Sequence, residues 1–307
     1  MNTNRYIAVI GGSNVDVTGM TAGRFSPNDS NPGTINISAG GVGRNIAENI
    51  ARLQLPVRLL TAIGDDSFGQ FLVEHCRISG IELNTASILP GCSSSIYAAI
   101  MDNGGELEAA VSDMKITKEI STSLLTSESY FIKEAEIVIA DNNITADSLK
   151  LLIEMRGGDI LFDAVSGVKL KQRKELIHHL DTVKLNSVEA EILSGIVVNS
   201  PDSAEKASKI IAERSISNIF ITLGAKGVYY RCNNDRWFLE PEKISAVNST
   251  GSGDAFMAGV AFGRYQGLNG ERLLRCGLKC AALAAESAQT VSENMTPDLL
   301  RNIIKGD

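Results

Sequence analysis

Short apolar runs recur along the chain, and segments whose apolar residues recur at helical spacing separate most of them. The runs of strand length lie at 7–10, 57–63, 137–140, 160–162 and 218–223. The helical segments lie at 45–53, 67–79, 145–156, 171–180, 253–266 and 271–288. Strands that alternate with helices in this way predict a doubly wound α/β fold, with a mostly parallel sheet covered by helices on both faces.

Two stretches interrupt this alternation, at about 13–38 and 91–114. Both combine strand-like alternation with turn-forming residues, as in Asn14–Val17 followed by the prolines, glycines and asparagines of 20–37. We expect the two stretches to form a small β-sheet lid over one edge of the main sheet. No linker or internal repeat is visible, so residues 1–307 are predicted to form a single domain. The charged run 169–175 is interpreted as a solvated helix face.

The composition limits the binding partners and the cellular compartment that we expect for this chain. The net charge is −7 with 44% hydrophobic residues, an acidic globular chain that is a poor match for nucleic acid. The five cysteines are odd in number and widely spaced, which favours a reducing compartment, the cytoplasm. The first apolar run, 7–10, is too short for a signal peptide or a membrane span, so no membrane partner is expected.

The most informative glycine-rich segment is 248–254, which leads directly into an apolar helix. Backbone N–H groups at a helix start are unpaired and favour anions, so Gly251, Ser252 and Gly253 are predicted to form an anion hole. A carboxylate beside such donors suits a base that takes a proton while the donors hold negative charge, which points to Asp254. The alternative is an ordinary aspartate in the first turn of a helix.

The other glycine-rich segment, 40–45, does not fit a dinucleotide site, because the third glycine of that fingerprint would fall at Ile46. Nor does the chain contain the glycine-lysine-serine/threonine string of a P-loop. Segments 40–45 and 248–254 instead resemble the two signature motifs of the PfkB family of carbohydrate and nucleoside kinases. Asn186 and Glu189 match the family's Asn-x-x-Glu motif, and Asn14-x-Asp16 also fits, all in the expected order.

The resemblance implies a ribokinase-like fold with a β lid, use of ATP and Mg²⁺, and a role for each matching residue. Asp254 would be the catalytic base, with the anion hole at 251–253. The residues implied for the substrate are Asn14, Asp16, Gly40, Gly41 and Asn45, and those for the nucleotide are Asn186, Glu189, Thr222, Gly224 and Gly227. Glu189 would organise Mg²⁺ through water. A helix-capping pair is the alternative for Asn186 and Glu189, and a turn between strands is the alternative for 222–227.

Three local strings, 29–33, 40–49 and 112–114, look like those of pseudouridine kinases within the family. This implies phosphorylation of the 5′-hydroxyl of pseudouridine, with Ser30, Asn31 and Asp113 reading the uracil edge. Turn formation is the alternative for 29–33.

Ribokinase or another nucleoside kinase remains the alternative enzyme, and a nucleoside sensor that kept the fold is the alternative without catalysis. Lids of the family often pair, so a homodimer is an expectation by resemblance. A monovalent-cation requirement stays open, because many members carry Asp where this chain has Asn248.

Overall fold

The computed structural model describes residues 5–157, 159–213 and 216–306. Its strands are β1 Ile7–Ile10, β2 Asn14–Thr21, β3 Gly33–Gly40, β4 Val57–Leu60, β5 Ile63–Gly64, β6 Glu82–Leu83, β7 Ile88–Leu89, β8 Ile96–Met101, β9 Leu107–Asp113, β10 Ile137–Asp141, β11 Leu161–Asp163, β12 Thr182–Asn186, β13 Asn218–Thr222, β14 Val228–Cys232 and β15 Asp235–Leu239. Its α-helices are α1 Val42–Arg52, α2 Ser67–Ile78, α3 Thr122–Ser127, α4 Ser129–Glu134, α5 Ala146–Arg156, α6 Gly167–Lys171, α7 Lys174–Ile177, α8 Ser187–Ser194, α9 Pro201–Ala212, α10 Ser252–Tyr265, α11 Gly270–Ala285 and α12 Arg301–Lys305.

The main sheet has nine strands in the order β15-β14-β13-β12-β11-β10-β1-β4-β6. Pairing is parallel from β13 through to β6, and β14 and β15 add an antiparallel edge. The predicted α/β fold with a mostly parallel sheet is therefore confirmed.

Both faces of this sheet are buried, because alternate residues of each strand point to opposite sides. In β1, Ile7 and Val9 pack into the core beneath α1, α10 and α11, whereas Ala8 and Ile10 pack into the core beneath α5, α8 and α9. All four residues are fully buried, which explains why the strand reads as an unbroken apolar run.

The chain leaves β1 toward β4 on one side and later returns to β10 on the other. Such a reversal of strand order opens a crevice outside the carboxyl ends of the two strands, where ligands of α/β proteins bind. Gly12 follows β1 at this point, and its N–H donates to the Asp141 carboxylate at the end of β10, 2.9 Å away.

A second, four-stranded sheet has the order β3-β2-β8-β9. It is built from the two stretches that interrupt the strand–helix alternation. Val15 and Ala39 bury one face against α2, while Ile35 and Val111 on this sheet are 74% and 71% exposed.

Several boundaries differ from those that the periodicity predicts. The helix expected at 171–180 is wrong: two short helices, α6 and α7, flank a break at Gln172 and Arg173. The break turns the Arg173 guanidinium to Asn142, where it donates to the backbone oxygen at 2.7 Å. In the described part of the chain, no helix is long and apolar enough to cross a membrane.

Candidate active site

Three buried charged residues form a row across neighbouring strands at the carboxyl edge of the main sheet. Asp141 of β10 pairs in register with Asp163 of β11, which pairs in register with Lys184 of β12. The Lys184 ammonium donates to Asp163 at 2.9 Å. Burial lowers the pKa of Lys184, but Asp163, Asp254 and Glu189 together outweigh it and the net pKa is raised, so this lysine stays charged at neutral pH.

Helix α10 begins directly above this row. Its N-cap is Gly251, with a φ of 83°, and a Cβ there would lie 2.1 Å from the Thr290 backbone oxygen. Glycine is therefore required by both conformation and space. A Cβ on Gly253 would lie 2.7 Å from the Lys184 Nζ, so this ammonium and the helix start converge on one place. The positive end of the helix and the ammonium group therefore lie beside the carboxylates of the site.

Asp254 lies in the first turn of α10 and is buried. Its Oδ2 accepts a hydrogen bond from the Asn45 amide at 2.7 Å. Burial and, next, the negative charge of Asp163 raise the pKa of Asp254 to about 7, against the opposing effects of Lys184 and the Asn45 hydrogen bond. A carboxylate with a pKa near neutrality is suited to take a proton from a hydroxyl at the pH of the cell.

A cavity of about 390 Å³ opens in front of Asp254, between the main sheet and the small sheet. Its lining includes six residues singled out in the sequence, namely Asn14, Asp16, Gly41, Asn45, Gly251 and Asp254. The structure thus brings together parts of the chain that are more than 200 residues apart, as Asn45 and Asp254 are.

Asp16 and Asn14 form one polar unit in the wall of this cavity. The Asn14 amide donates to the Asp16 carboxylate at 2.6 Å, and burial raises the pKa of Asp16. A Cβ on Gly40 would lie 2.1 Å from the Asp16 Oδ2, and Gly41 has a φ of 98°. The two glycines are therefore needed to bring the backbone close to this pair.

The residues predicted to read the base are not among those that line the cavity. Ser30 and Asn31 are in an exposed turn or at its edge, where the Asn31 side chain binds the backbone of Ser26. Asp113 is exposed and pairs with Lys115. Its two neighbours, Ser112 and Met114, do line the cavity.

Asn186 and Glu189 form a complete capping box at the start of α8. The Asn186 side chain accepts from the Glu189 N–H at 2.9 Å, and the Glu189 carboxylate accepts from the Asn186 N–H at 2.7 Å. Among the described residues, no group of three or more acidic, His or Cys side chains could hold a metal ion.

Local packing also explains the conformation of the segment 222–227, where β13 ends and turns toward β14. Thr222 pairs in register with Asn186 on the neighbouring strand, and its Oγ1 donates to the Leu185 backbone oxygen at 3.3 Å. Gly224 opens the turn to β14, and a Cβ on Gly227 would lie 2.3 Å from the Leu239 backbone oxygen. The close approach of the Leu239 backbone therefore explains why residue 227 is glycine. Thr222 lies beside the Asn186–Glu189 capping box.

One observation fits an anionic ligand at the start of α10. The Ser252 Oγ is buried, and no described residue forms a hydrogen bond with it. Buried hydroxyls are normally paired, so this one has hydrogen-bonding capacity left for a ligand. A phosphoryl group fits the hydroxyl, the helix N-terminus and the Lys184 ammonium together.

Sequence reasoning missed Lys184 and Asp163, and it misread Lys169. The run 169–175, interpreted as a solvated helix face, turns Lys169 into the cavity, where it donates to Asn143. A charged residue inside an apolar strand, as in the 182–186 segment, was the available signal for Lys184.

A buried carboxylate at a glycine-rich helix start, at the reversal point of a mostly parallel sheet, is an arrangement suited to phosphoryl transfer. The family model "pfkB family carbohydrate kinase" matches residues 4–297, and the chain belongs to this family. It is a sugar or nucleoside kinase that uses an alcohol as phosphoryl acceptor.

Three similar proteins illustrate the relationship. The pseudouridine kinase of Escherichia coli (strain K12) is 33% identical over 99% of this chain and 97% of its own length. A putative sugar kinase from Clostridium perfringens superposes with a TM-score of 0.87 at 30% identity, covering 98% of this chain and 96% of that one. Arabidopsis thaliana ribokinase, solved with ribose and ATP, has a TM-score of 0.85 at 17% identity and covers 98% of both chains, which shows the shared fold.

Proposed function

We propose that this chain transfers the terminal phosphoryl group of ATP to the 5′-hydroxyl of pseudouridine, giving pseudouridine 5′-phosphate. The observation that carries the proposal is the position of Asp254. It is a buried carboxylate with a pKa near 7, at the start of α10 and at the wall of the cavity. Sequence identity to a pseudouridine kinase over almost the whole chain supports the choice of acceptor.

Asp254 acts as the general base. The acceptor oxygen attacks the terminal phosphorus, the bond to the ADP oxygen breaks, and the hydroxyl proton passes to the Asp254 carboxylate. Asn45 holds that carboxylate through its amide at 2.7 Å, so the oxygen that takes the proton keeps a fixed direction. A general base of this kind contributes roughly 10²–10⁴ in rate.

Gly251, Ser252, Gly253 and Lys184 hold the charge of the transferring group. The backbone N–H groups of the helix start and the Ser252 hydroxyl donate to its oxygens, and the Lys184 ammonium adds a full positive charge. Phosphoryl transfer depends mainly on positioning and charge neutralisation, which these groups supply in the proposed reaction.

ATP is the proposed donor, as in the ribokinase solved with ribose and ATP. Asn186, Glu189 and Thr222 lie together at the carboxyl edge of the sheet, on the side of Lys184 where the remaining phosphates would extend. A Mg²⁺ ion would supply further charge neutralisation there, held by Glu189 through water.

Asn14 and Asp16 are the proposed ligands of the ribose hydroxyls, since a carboxylate and an amide together match a vicinal diol. The base would lie toward Ser112, Asn143 and Lys169, which line the same cavity. Ser30, Asn31 and Asp113 reach it only if the small sheet moves as a lid.

The experiment is ADP release from Mg·ATP with pseudouridine, uridine, adenosine, ribose and fructose, on the wild type and Asp254→Asn. Turnover with pseudouridine far above the others, lost in the variant, is the expected result. A preference for ribose or another nucleoside would discard the acceptor and keep the kinase. Binding of nucleosides without any turnover would favour the sensor.

The small sheet is also the proposed site of dimer formation. Ile35, Ile37 and Val111 are exposed on it, and an apolar face of this kind is suited to a second copy of the chain. Light scattering of the wild type and Ile35→Asp/Val111→Asp tests this, with a dimer expected for the first and a monomer for the second.

All five cysteines are free, which fits the cytoplasm as the proposed location.

A further inference from the structure

Arg44 is the largest side chain that is fully buried in the described part of the chain, at 1% exposure. Its guanidinium, which carries five N–H groups, donates to four partners. The Nε donates to the Gly40 backbone oxygen at 3.2 Å, and the two terminal nitrogens reach Glu48, the His75 ring and the Asn45 Oδ1.

The contact with Asn45 decides which way that amide faces. Because Arg44 donates to the Asn45 Oδ1, the amide NH₂ must point the other way, and it donates to the Asp254 Oδ2 at 2.7 Å. A flipped amide would place its oxygen against the carboxylate and its NH₂ against the guanidinium, so both contacts would be repulsive. An arginine cannot lose its proton in a protein, so this orientation holds at every working pH.

We propose that Arg44 is a positioning residue for the phosphotransfer: it locks the Asn45 amide so that it always donates to the catalytic carboxylate of Asp254. The inference rests on the proposed function of Asp254 as base. It assigns a role to a residue of the glycine-rich segment that touches neither the cavity nor the reacting atoms.

The buried charge of Arg44 needs such a reason. A buried arginine–glutamate pair is weak evidence for stability, since removing two charges from water costs about as much as their attraction returns. Glu48 has a second partner in Arg52, at 2.8 and 3.0 Å. The network therefore balances Glu48 with two arginines, of which only Arg44 reaches Asn45.

Loss of the lock should be visible in the pH dependence. The charged groups that act on Asp254 are Asp163 and Asp141, which raise its pKa, and Lys184, which lowers it together with the Asn45 hydrogen bond. With the Asn45 amide free to turn, the protonated carboxyl is favoured. The acid limb of the pH–rate profile should then move upward, by about one pH unit.

The matched control is Arg52→Met. It removes an arginine partner of the same Glu48 on the same helix without touching Asn45. We expect Arg44→Met to lower kcat about 10-fold or more near neutral pH and to move the acid limb upward. Arg52→Met should leave the limb where the wild type has it.

A double-mutant cycle separates positioning from a general loss of structure. If Arg44 acts through Asn45, then Arg44→Met/Asn45→Ala should be no slower than Asn45→Ala alone. Additive losses would overturn the proposal, as would an Arg44→Met protein with a lower Tm and an unchanged acid limb. If Arg44→Met does not fold, Arg44→Lys replaces it, because lysine keeps the charge beside Glu48 and lacks the forked guanidinium. An acid limb of the pH–rate profile unchanged from the wild type in Arg44→Lys would equally refute the proposal.

A readout without turnover keeps this test apart from that of the proposed function. The carboxyl ¹³C resonance of Asp254, assigned with Asp254→Asn, is titrated in the substrate-free protein. A higher midpoint in Arg44→Met than in wild type supports the lock, and equal midpoints overturn it. If no acceptor is phosphorylated by the wild type, the proposed function fails while this titration still decides the role of Arg44.

Discussion

The buried carboxylate that gives this protein its proposed base should also make it less stable, and Asp254→Asn tests that. The pKa of Asp254 is raised from 3.8 to about 7 by burial and by Asp163. The folded state therefore holds a proton that the unfolded chain releases above about pH 4, and stability falls as pH rises through this range. The folding stability lost through this raised pKa grows from roughly 2 kcal/mol near pH 5 to roughly 4 kcal/mol near pH 8.

Asparagine has no charge to bury, so the variant should gain stability over the wild type, and the gain should increase by about 2 kcal/mol between pH 5 and pH 8. Urea unfolding of both proteins at several pH values measures it. Asp235→Asn, which removes an exposed carboxylate from β15, is the matched control and should show no such trend. A stability difference that stays constant with pH would refute the argument that burial of Asp254 sets its pKa.

Three further changes test the site. Ser252→Ala removes a buried hydroxyl to which no described residue hydrogen-bonds. The free energy of unfolding in urea should therefore change by less than about 0.5 kcal/mol, while kcat falls about 10-fold. A loss of stability without a fall in kcat would contradict a ligand role. Gly40→Ala places a Cβ against the Asp16 carboxylate, and steady-state assays should show KM for the acceptor rising about 10-fold or more with KM for ATP unchanged. Lys184→Met leaves the buried Asp163 charge without its partner and should lower the free energy of unfolding by roughly 3–5 kcal/mol. Adding Asp163→Asn should restore stability to thermal unfolding without restoring turnover. Recovery of activity in the double variant would argue against contact of Lys184 with phosphate.

Local chemistry was enough for much of the molecule. The unbroken apolar run of β1 and the glycine-rich start of α10 reflect constraints that act within a few residues of one another. Burial on both faces demands apolar side chains at every position, and a helix start that meets an anion demands small residues. Asp254 could be singled out for the same reason, because its neighbours in the chain are its neighbours in the site.

Helix periodicity was a weaker guide where a side chain had a distant partner. The predicted helix at 171–180 is broken in the structure at Gln172 and Arg173, and the Arg173 guanidinium donates to Asn142 in the loop between β10 and α5. Likewise, a stretch rich in charges at 169–175 looks solvated until the fold closes Lys169 over the cavity. No spacing within the segment carries that information.

The sequence by itself determined the class of fold, the glycine segments and the choice of Asp254 as candidate base, since each depends on residues close together in the chain. Only the tertiary structure decided the row of Asp141, Asp163 and Lys184, because strand order and register place them side by side. It also decided that Asn45 meets Asp254, and with it the pKa of the base. Electrostatic interactions in a buried site depend on distances through space, and those distances exist only once the sheet is assembled.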